Sequence, residues 1–208
     1  MLWNNHSKLD GCHALLSPSQ SSWLYYDEDE SFFKKYVSSH AQILGTTLHE
    51  YAEKRINYKL KLRKQDDNDV MFYLLDHGIP RNVVDMDRIY PNLMNYVNDA
   101  IGYRMDTEII LFYSNNIFGT ADAIKITKNE IRIHDYKSGV TPAHMEQLEI
   151  YDALACLEYK LDPAKYSHEL RLYHSGEIIA SNPEPDVIKM TMEKIEHFDK
   201  IIEDFKEN

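Results

Sequence analysis

The sequence contains only two cysteines, Cys12 and Cys156, among 208 residues. They lie far apart and have no neighbouring cysteine or ligand motif. A disulfide framework or a thiolate metal site needs several cysteines at short, regular spacing, so neither is expected. We expect two thiols with no structural or catalytic role.

Long apolar runs are also absent, since no stretch of about 18 apolar residues occurs to span a bilayer. The first six residues, Met-Leu-Trp-Asn-Asn-His, lack the basic-then-apolar layout of a signal peptide. The sequence therefore predicts a soluble, intracellular and cytoplasmic protein with no membrane partner. With 43% hydrophobic residues, the chain is long enough for one core and short for two, so we expect a single domain over 1–208.

The chain has no excess of basic residues, and its formal net charge is −11. This balance is unusual for a nucleic-acid-binding protein, because affinity for DNA comes largely from lysine and arginine neutralising phosphates. The total does not show where the charges lie. One predicted helical stretch contains six basic residues: Lys54, Arg55, Lys59, Lys61, Arg63 and Lys64. They would either face the phosphates of a nucleic acid or form a solvated helix face, and both interpretations remain open.

The segment from Phe118 to Gly139 has the pattern of a β-hairpin. Isoleucines alternate with polar residues on both sides of a polar turn at 128–130. On the second arm, Asp135 and Lys137 share one face, and Asp122 reaches the same place if the two arms pair in register. Two carboxylates and a lysine are typical of a divalent-metal site. The alternative is a surface hairpin with an ordinary ion pair.

The pattern of apolar residues predicts the other elements. A helical pattern begins at Phe32, and helices are predicted from Gly45 to about Leu62, with Leu60 in its buried stripe, and over about 86–103, 142–159 and 185–205. Strands are predicted over 108–113, 167–174 and 177–180, the second joined to the hairpin by a parallel crossover. Ser17 and Pro18 have the pattern of a further helix start.

Four motifs occur in order along the chain: Leu16–Gln20, Gly45–Glu53 with its histidine, Gly119-x-x-Asp122 followed by Asp135-x-Lys137-Ser-Gly, and Gln147-x-x-x-Tyr151. Together they resemble the PD-(D/E)XK nuclease superfamily, in its RecB-nuclease and Cas4-like exonuclease branch. The resemblance implies an α/β, restriction-endonuclease-like fold. Its central mixed β-sheet has antiparallel hairpins plus a parallel crossover strand, flanked by helices, with a helical insertion at about 65–104.

The resemblance also implies the roles of individual residues. Mg²⁺ or Mn²⁺ would be held by Asp122, Asp135, His49 and the backbone carbonyl of Tyr136. Lys137 would orient the attacking water and help to deprotonate it. The DNA-contacting residues would be Gln147, Tyr151 and Ser19, and the further candidate carboxylates are Glu53 and Glu108. From the residues alone, His49 and Tyr151 are more typical of the core, Gln147 of the surface, Ser19 of a helix start, and Glu108 of a simple strand-end carboxylate.

These features predict a metal-dependent DNA nuclease, an exonuclease of recombination, repair or phage DNA metabolism. DNA is the expected partner, and recombination or replication proteins are further candidates. Many Cas4-like relatives hold an iron–sulphur cluster with four cysteines, and two cysteines cannot build one that way. The alternative from another class is a non-catalytic adaptor or inhibitor that binds DNA or protein on the same fold.

Overall fold

The structure is a computed structural model that describes residues 7–9, 14, 16, 18–25, 29–139 and 144–206. It is a mixed α/β protein. The helices are α1 Asp29–Asn57, α2 Asp67–Asp76, α3 Met86–Tyr103, α4 Glu146–Tyr159 and α5 Pro185–Lys206. The strands are β1 Asp106–Ser114, β2 Ile117–Ile126, β3 Glu130–Lys137, β4 Ser167–His174 and β5 Glu177–Ser181. Of the helices described, none has both the length and the apolar content to cross a membrane.

The five strands form one sheet in the order β1-β2-β3-β4-β5. Strands β1, β2 and β3 are consecutive antiparallel neighbours, and β4 and β5 form an antiparallel pair. Strand β4 runs parallel to β3, with Ile133 opposite Leu170, and α4 connects the two. The predicted mixed sheet with a parallel crossover strand is therefore confirmed.

Helices cover both faces of this sheet. Strand alternation sends Ile131, Ile133 and Leu172 into one core, with the apolar residues of α4 and α5. It sends Tyr136 and Tyr173 to the opposite face, into a second core with α1, α2 and α3. The helical region at 65–104 thus contributes to a main core of the protein.

Helix α1 differs from the prediction at both ends. It begins at Asp29, where Asp29 and Glu30 favour the positive end of the helix dipole, and it continues through Gly45. It ends at Asn57, because Lys59 adopts a left-handed conformation (φ 57°) and the Leu60 N–H donates to the Arg55 carbonyl at 2.8 Å. Leu60 is consequently 49% exposed, so its predicted place in the buried stripe was wrong.

The same helix end corrects the predicted basic stripe. Lys59, Lys61 and Lys64 follow the helix, so the six basic residues do not share one helical face. The other three make contacts within the protein, and Lys54 donates to the Tyr73 hydroxyl at 2.8 Å. Arg55 donates to the carbonyls of residues 60 and 61, and Arg63 forms an ion pair with Asp66.

Smaller differences occur elsewhere. Helix α4 begins at Glu146, four residues later than predicted, and residues 140–143 lie outside the described part of the chain. Pro18–Tyr25 is a 3₁₀ helix, and Ser17, its predicted cap, lies outside the described residues. The predicted bounds of α3 and β4 are confirmed.

Candidate metal centre

The hairpin β2–β3 brings its two aspartates together. Ala123 is opposite His134, so Asp122 and Asp135 are the next residues beyond that pair. Here the carboxylate Oδ2 of Asp122 accepts a hydrogen bond from the backbone N–H of Tyr136 at 3.0 Å. The predicted register is confirmed, and both carboxylates lie at one end of the central strands.

A third carboxylate, Glu108, comes from β1. The pairs Thr107–Ala123 and Ile109–Ala121 flank it, which places Glu108 across from Asp122. Its backbone is in the left-handed region, with φ 52°. A side chain other than glycine or asparagine is strained there, and such strain is concentrated at functional sites. The interpretation of Glu108 as a simple strand-end carboxylate is therefore not supported.

Helix α1 supplies the histidine. His49 Nδ1 lies 3.4 Å from Asp122 Oδ2. One ligand atom each from His49, Glu108 and Asp122 lies within 4.8 Å of the others. Burial lowers the pKa of His49, and attraction to Asp135 and Glu108 opposes the effect only in part. The ring is thus held neutral, which is the form that binds metal ions.

Asp135 is buried, with 1% of its side chain exposed. The ammonium of Lys137 lies 3.0 Å from Oδ1 and 2.9 Å from Oδ2. Only the Oδ1 contact has hydrogen-bond geometry, so within the described residues Oδ2 is a buried oxygen without a donor. The ammonium offsets part of the charge on Oδ2, and the lone pairs that accept no hydrogen bond stay open to a metal ion.

The two aspartates have unusual acidity. Burial raises the pKa of Asp122 to about 7, although the Tyr136 N–H and Lys137 act in the opposite direction. Burial, together with repulsion from Asp122, raises the pKa of Asp135 to about 7. Both groups are destabilised as anions by low hydration and by their proximity. A bound cation would remove this cost.

The donor set fits a divalent metal ion. Carboxylate oxygens suit Mg²⁺ and Mn²⁺, and a neutral imidazole shifts the preference toward Mn²⁺ and other transition metals. Glu108 is exposed while Asp122 and His49 are partly buried, so the group is open on one side. His49, Glu108 and Asp122 therefore form a possible metal-binding triad, in which Glu108 was only a further candidate from the sequence.

Lys137 is held in its charged form. Burial opposes the charge, but attraction and hydrogen bonding to Asp135 outweigh burial and raise the pKa of Lys137. An ammonium of this kind donates hydrogen bonds well and accepts protons poorly. This favours an electrostatic role over the predicted removal of a proton from water.

Gln147 and Tyr151 lie on α4, one turn apart, at the rim of the centre. Gln147 Nε2 donates to the Tyr151 hydroxyl at 3.0 Å. Burial raises the pKa of Tyr151, and the charges of Asp135 and Asp122 act in the same direction. A Cβ on Gly119 would lie 2.8 Å from Cε1 of this ring, so the glycine permits the close approach.

Tyr136 serves the centre through its backbone. Its N–H binds Asp122, and its buried ring lies between the rings of His49 and Tyr96, at centroid distances of 5.7 and 5.8 Å. The role of its carbonyl as a metal ligand stays a prediction.

Of the candidate carboxylates, Asp135, which is paired with Lys137, and Glu53 are not in the group of His49, Glu108 and Asp122. Glu53 lies one turn beyond His49, outside the cluster of candidate ligands, and its carboxylate accepts from Asn57 at 3.5 Å. The side chain of Ser19 lies outside the described part of the structure, so its contact with DNA stays a prediction. Arg88 was not singled out from the sequence, yet it donates to the carbonyls of Ser138 and Gly139, directly after Lys137.

Comparisons with known proteins identify a family without an assigned function. No curated protein matches the sequence. The solved structure described as "Crystal structure of SSO0001" aligns with 69% of this chain and with 83% of its own chain, at 11% sequence identity. Its TM-score is 0.32, which is too low to support a conclusion about fold or function. A family model described as "Protein of unknown function (DUF2800)" matches residues 13–162, which include every residue of the candidate metal centre. The chain belongs to this DUF2800 family.

Proposed function

We propose that this chain is a metal-dependent DNA nuclease with a site of the PD-(D/E)XK type. The observation that carries the proposal is the close group of His49, Glu108 and Asp122 beside the Asp135–Lys137 pair. Hydrolysis of a phosphodiester requires positive charge near its oxygens and a positioned water. A carboxylate-rich cation site with an adjoining ammonium meets both needs.

Each residue has a role that its environment supports. Asp122, Asp135, Glu108 and the neutral ring of His49 would hold the cation. A divalent cation bound there would supply charge that binds the scissile phosphate and offsets the charge developing during hydrolysis. Lys137 stays protonated and donates a hydrogen bond to the attacking water or to a phosphate oxygen.

The rim would position the DNA strand. The hydroxyl of Tyr151 receives a hydrogen bond from Gln147 and keeps its own proton available for a phosphate oxygen. The order of motifs, which resembles that of RecB-like and Cas4-like exonucleases, supports exonuclease activity in recombination, repair or phage DNA metabolism. The imidazole ligand favours Mn²⁺ over Mg²⁺ as the activating ion.

End-labelled single-stranded and double-stranded DNA, incubated with the protein and Mn²⁺, tests this function. We expect products with the unmodified protein and none with excess chelator or with Asp135→Asn. Asp106→Asn is the control, because Asp106 lies on β1 in an exposed pair with Lys125. Mn²⁺ binding and DNA binding without any cleavage would overturn the proposal and support the non-catalytic alternative. Cleavage that continues in excess chelator would rule out a metal-dependent mechanism.

A further inference from the structure

A cavity of about 610 Å³ lies beside the candidate metal centre, between the N-terminal half of α1 and the end of β3. Its apolar wall includes Phe33, Val37 and Leu44, and its polar end includes Arg88 and Ser138. This volume is within the range of about 300–1,000 Å³ that is usual for small-ligand sites. An apolar wall and a polar end that carries an arginine suit a ligand that is partly apolar and partly anionic.

Two elements lead from the wall of the cavity to the metal centre. On α1, the lining residues recur every three or four positions up to Leu44, and His49 follows about 8 Å further along the helix axis. On the opposite side, Ser138 comes directly after Lys137. A ligand in the cavity would therefore extend toward the cation and the ammonium.

Arg88 provides the anion-binding group. Its Nη1 donates to the carbonyls of Ser138 and Gly139, at 2.8 and 3.0 Å, which fixes the guanidinium beside the cavity. Its Nε lies 3.8 Å from Asp85. Within the described ranges no hydrogen-bond partner is found for Nη2. A guanidinium with free donors is well suited to phosphate.

We infer that this cavity binds one nucleotide of the substrate strand, next to the phosphodiester that is cleaved. The base lies against the apolar wall of α1, and Nη2 of Arg88 contacts the phosphate. This inference rests on the proposed nuclease function. It assigns Arg88, Val37 and Ala41, which line the cavity, as binding residues that hold the strand in line with the metal centre.

Filling the cavity tests the inference. Ala41 is exposed and lines the cavity, so Ala41→Trp occupies the space without removing a core side chain. Gln42→Trp adds the same ring at the next position, which is exposed and does not line the cavity. The probe is a short fluorescein-labelled single-stranded DNA, and its fluorescence anisotropy is measured in Ca²⁺. We expect Ala41→Trp to weaken binding about tenfold, as for the loss of one base contact, and Gln42→Trp to leave it unchanged. Equal affinities of the two variants would overturn the inference.

The role of Arg88 has its own measurement. Loss of one phosphate contact lowers the slope of log affinity against log salt by about one, so Arg88→Gln should show the smaller slope. An unchanged slope would overturn the phosphate contact.

The outcomes also separate this inference from the proposed function. Binding that is lost in Ala41→Trp, without cleavage by the unmodified protein, would support the cavity and overturn the nuclease. Cleavage by the unmodified protein, together with unaltered DNA binding by Ala41→Trp, would support the nuclease and overturn the inference about the cavity. No binding of DNA by the unmodified protein would overturn both.

Discussion

Glu108 lies across β1 and β2 from Asp122, and it is the one strand residue with a positive φ in the part of the chain that the structure describes. The local sequence does not favour this conformation, because glutamate has no preference for the left-handed region. The paired strand residues on both sides of Glu108 hold it opposite Asp122. The backbone strain at Glu108 therefore occurs where a third carboxylate is placed beside His49.

Replacement of Glu108 should separate strain from metal binding. Glycine adopts a positive φ without steric cost, so Glu108→Gly should leave metal-free stability unchanged or raise it by up to about 1 kcal/mol, although a freer unfolded chain offsets part of the gain. Glu108→Gln keeps the strain and should give no such gain. Both variants should bind Mn²⁺ more weakly. Thermal unfolding in chelator and calorimetric titration with Mn²⁺ measure the two effects, and a large loss of stability in Glu108→Gly would contradict this account.

The pKa values of Asp122 and Asp135 predict how metal-free stability depends on pH. Both are about 7, above the usual 3.8, so the folded chain holds more protons than the unfolded chain between these values. Stability from these groups is present below pH 4 and is lost as pH rises through 7. In chelator, Asp135→Asn should flatten this part of the pH profile and stabilise the protein at pH 8, by on the order of 2 kcal/mol.

The control for this profile is Asp87→Asn, an exposed position at the start of α3. Its melting temperature should follow that of the unmodified protein from pH 5 to pH 8. Saturating Mn²⁺ should reverse the order of stability at pH 8, because the unmodified protein retains both carboxylate ligands. A melting temperature in chelator that falls in Asp135→Asn at every pH would indicate that the carboxylate has a structural role.

His49 and His40 offer a matched pair on one helix. His40 Nδ1 lies 2.8 Å from the carbonyl of Tyr36, one turn away along α1, and it is remote from the carboxylates. His49→Ala should weaken Mn²⁺ binding by about 10-fold to 100-fold and raise the Mn²⁺ concentration needed for cleavage. His40→Ala should change neither. If the two variants had the same affinity for Mn²⁺, His49 would have a structural role and would not be a metal ligand.

The contact of Gly119 with Tyr151 should be sensitive to a single methyl group. A Cβ at 2.8 Å from the ring forces Tyr151 to move, so Gly119→Ala should destabilise the protein by about 1–3 kcal/mol and reduce cleavage. Tyr151→Leu removes the ring edge. The Gly119→Ala change should therefore cost less in a Tyr151→Leu background, and urea unfolding of the four proteins measures the difference. Equal costs in both backgrounds would mean that the methyl group does not meet this ring.

Much of the fold could be predicted where local signals agree with tertiary packing. Helix α3 has both: Asp85 caps it by accepting from the N–H of Arg88, and its apolar stripe is buried on the first core. The hairpin β2–β3 was predictable because Ile131 and Ile133 alternate with polar residues. The register then followed, and with it the approach of Asp122 to Asp135.

The parts that were missed depend on contacts that a linear pattern does not contain. A helical pattern was predicted from Phe32, but not its continuation into the helix of His49, because Phe32 and Phe33 are exposed and do not share the buried stripe of that helix. Gly45 was taken for a helix start, but it lies inside α1, where an added Cβ would be 3.5 Å from the Ser138 hydroxyl. Counting back from the turn pair Ser114–Ile117 would place Glu108 opposite Ala123, and the register shift between Phe112 and Ser114 is what brings it opposite Asp122. Its left-handed conformation had no signal in the sequence.

Lys137 provides the sharpest distinction between chemistry and binding. Its side chain is one-third exposed and its ammonium lies within 3.0 Å of the Asp135 carboxylate, so it can reach a ligand without leaving its partner. Because its pKa is raised, we expect it to act as a charged donor. Lys137→Ala should then lower the single-turnover cleavage rate at saturating protein by about 10²–10⁴ while DNA affinity changes little.

The arginine variant tests which role the lysine has. Arginine keeps the charge and the donors, so Lys137→Arg should recover part of the rate if the lysine acts electrostatically, and none if it removes a proton from water. Lys125→Ala is the control, since Lys125 pairs with the exposed Asp106 on the neighbouring strands. A near-normal rate for Lys137→Ala at saturation, with weaker binding at low protein concentration, would make Lys137 a phosphate-binding residue. The attacking water would then have no side chain to orient it in this part of the site.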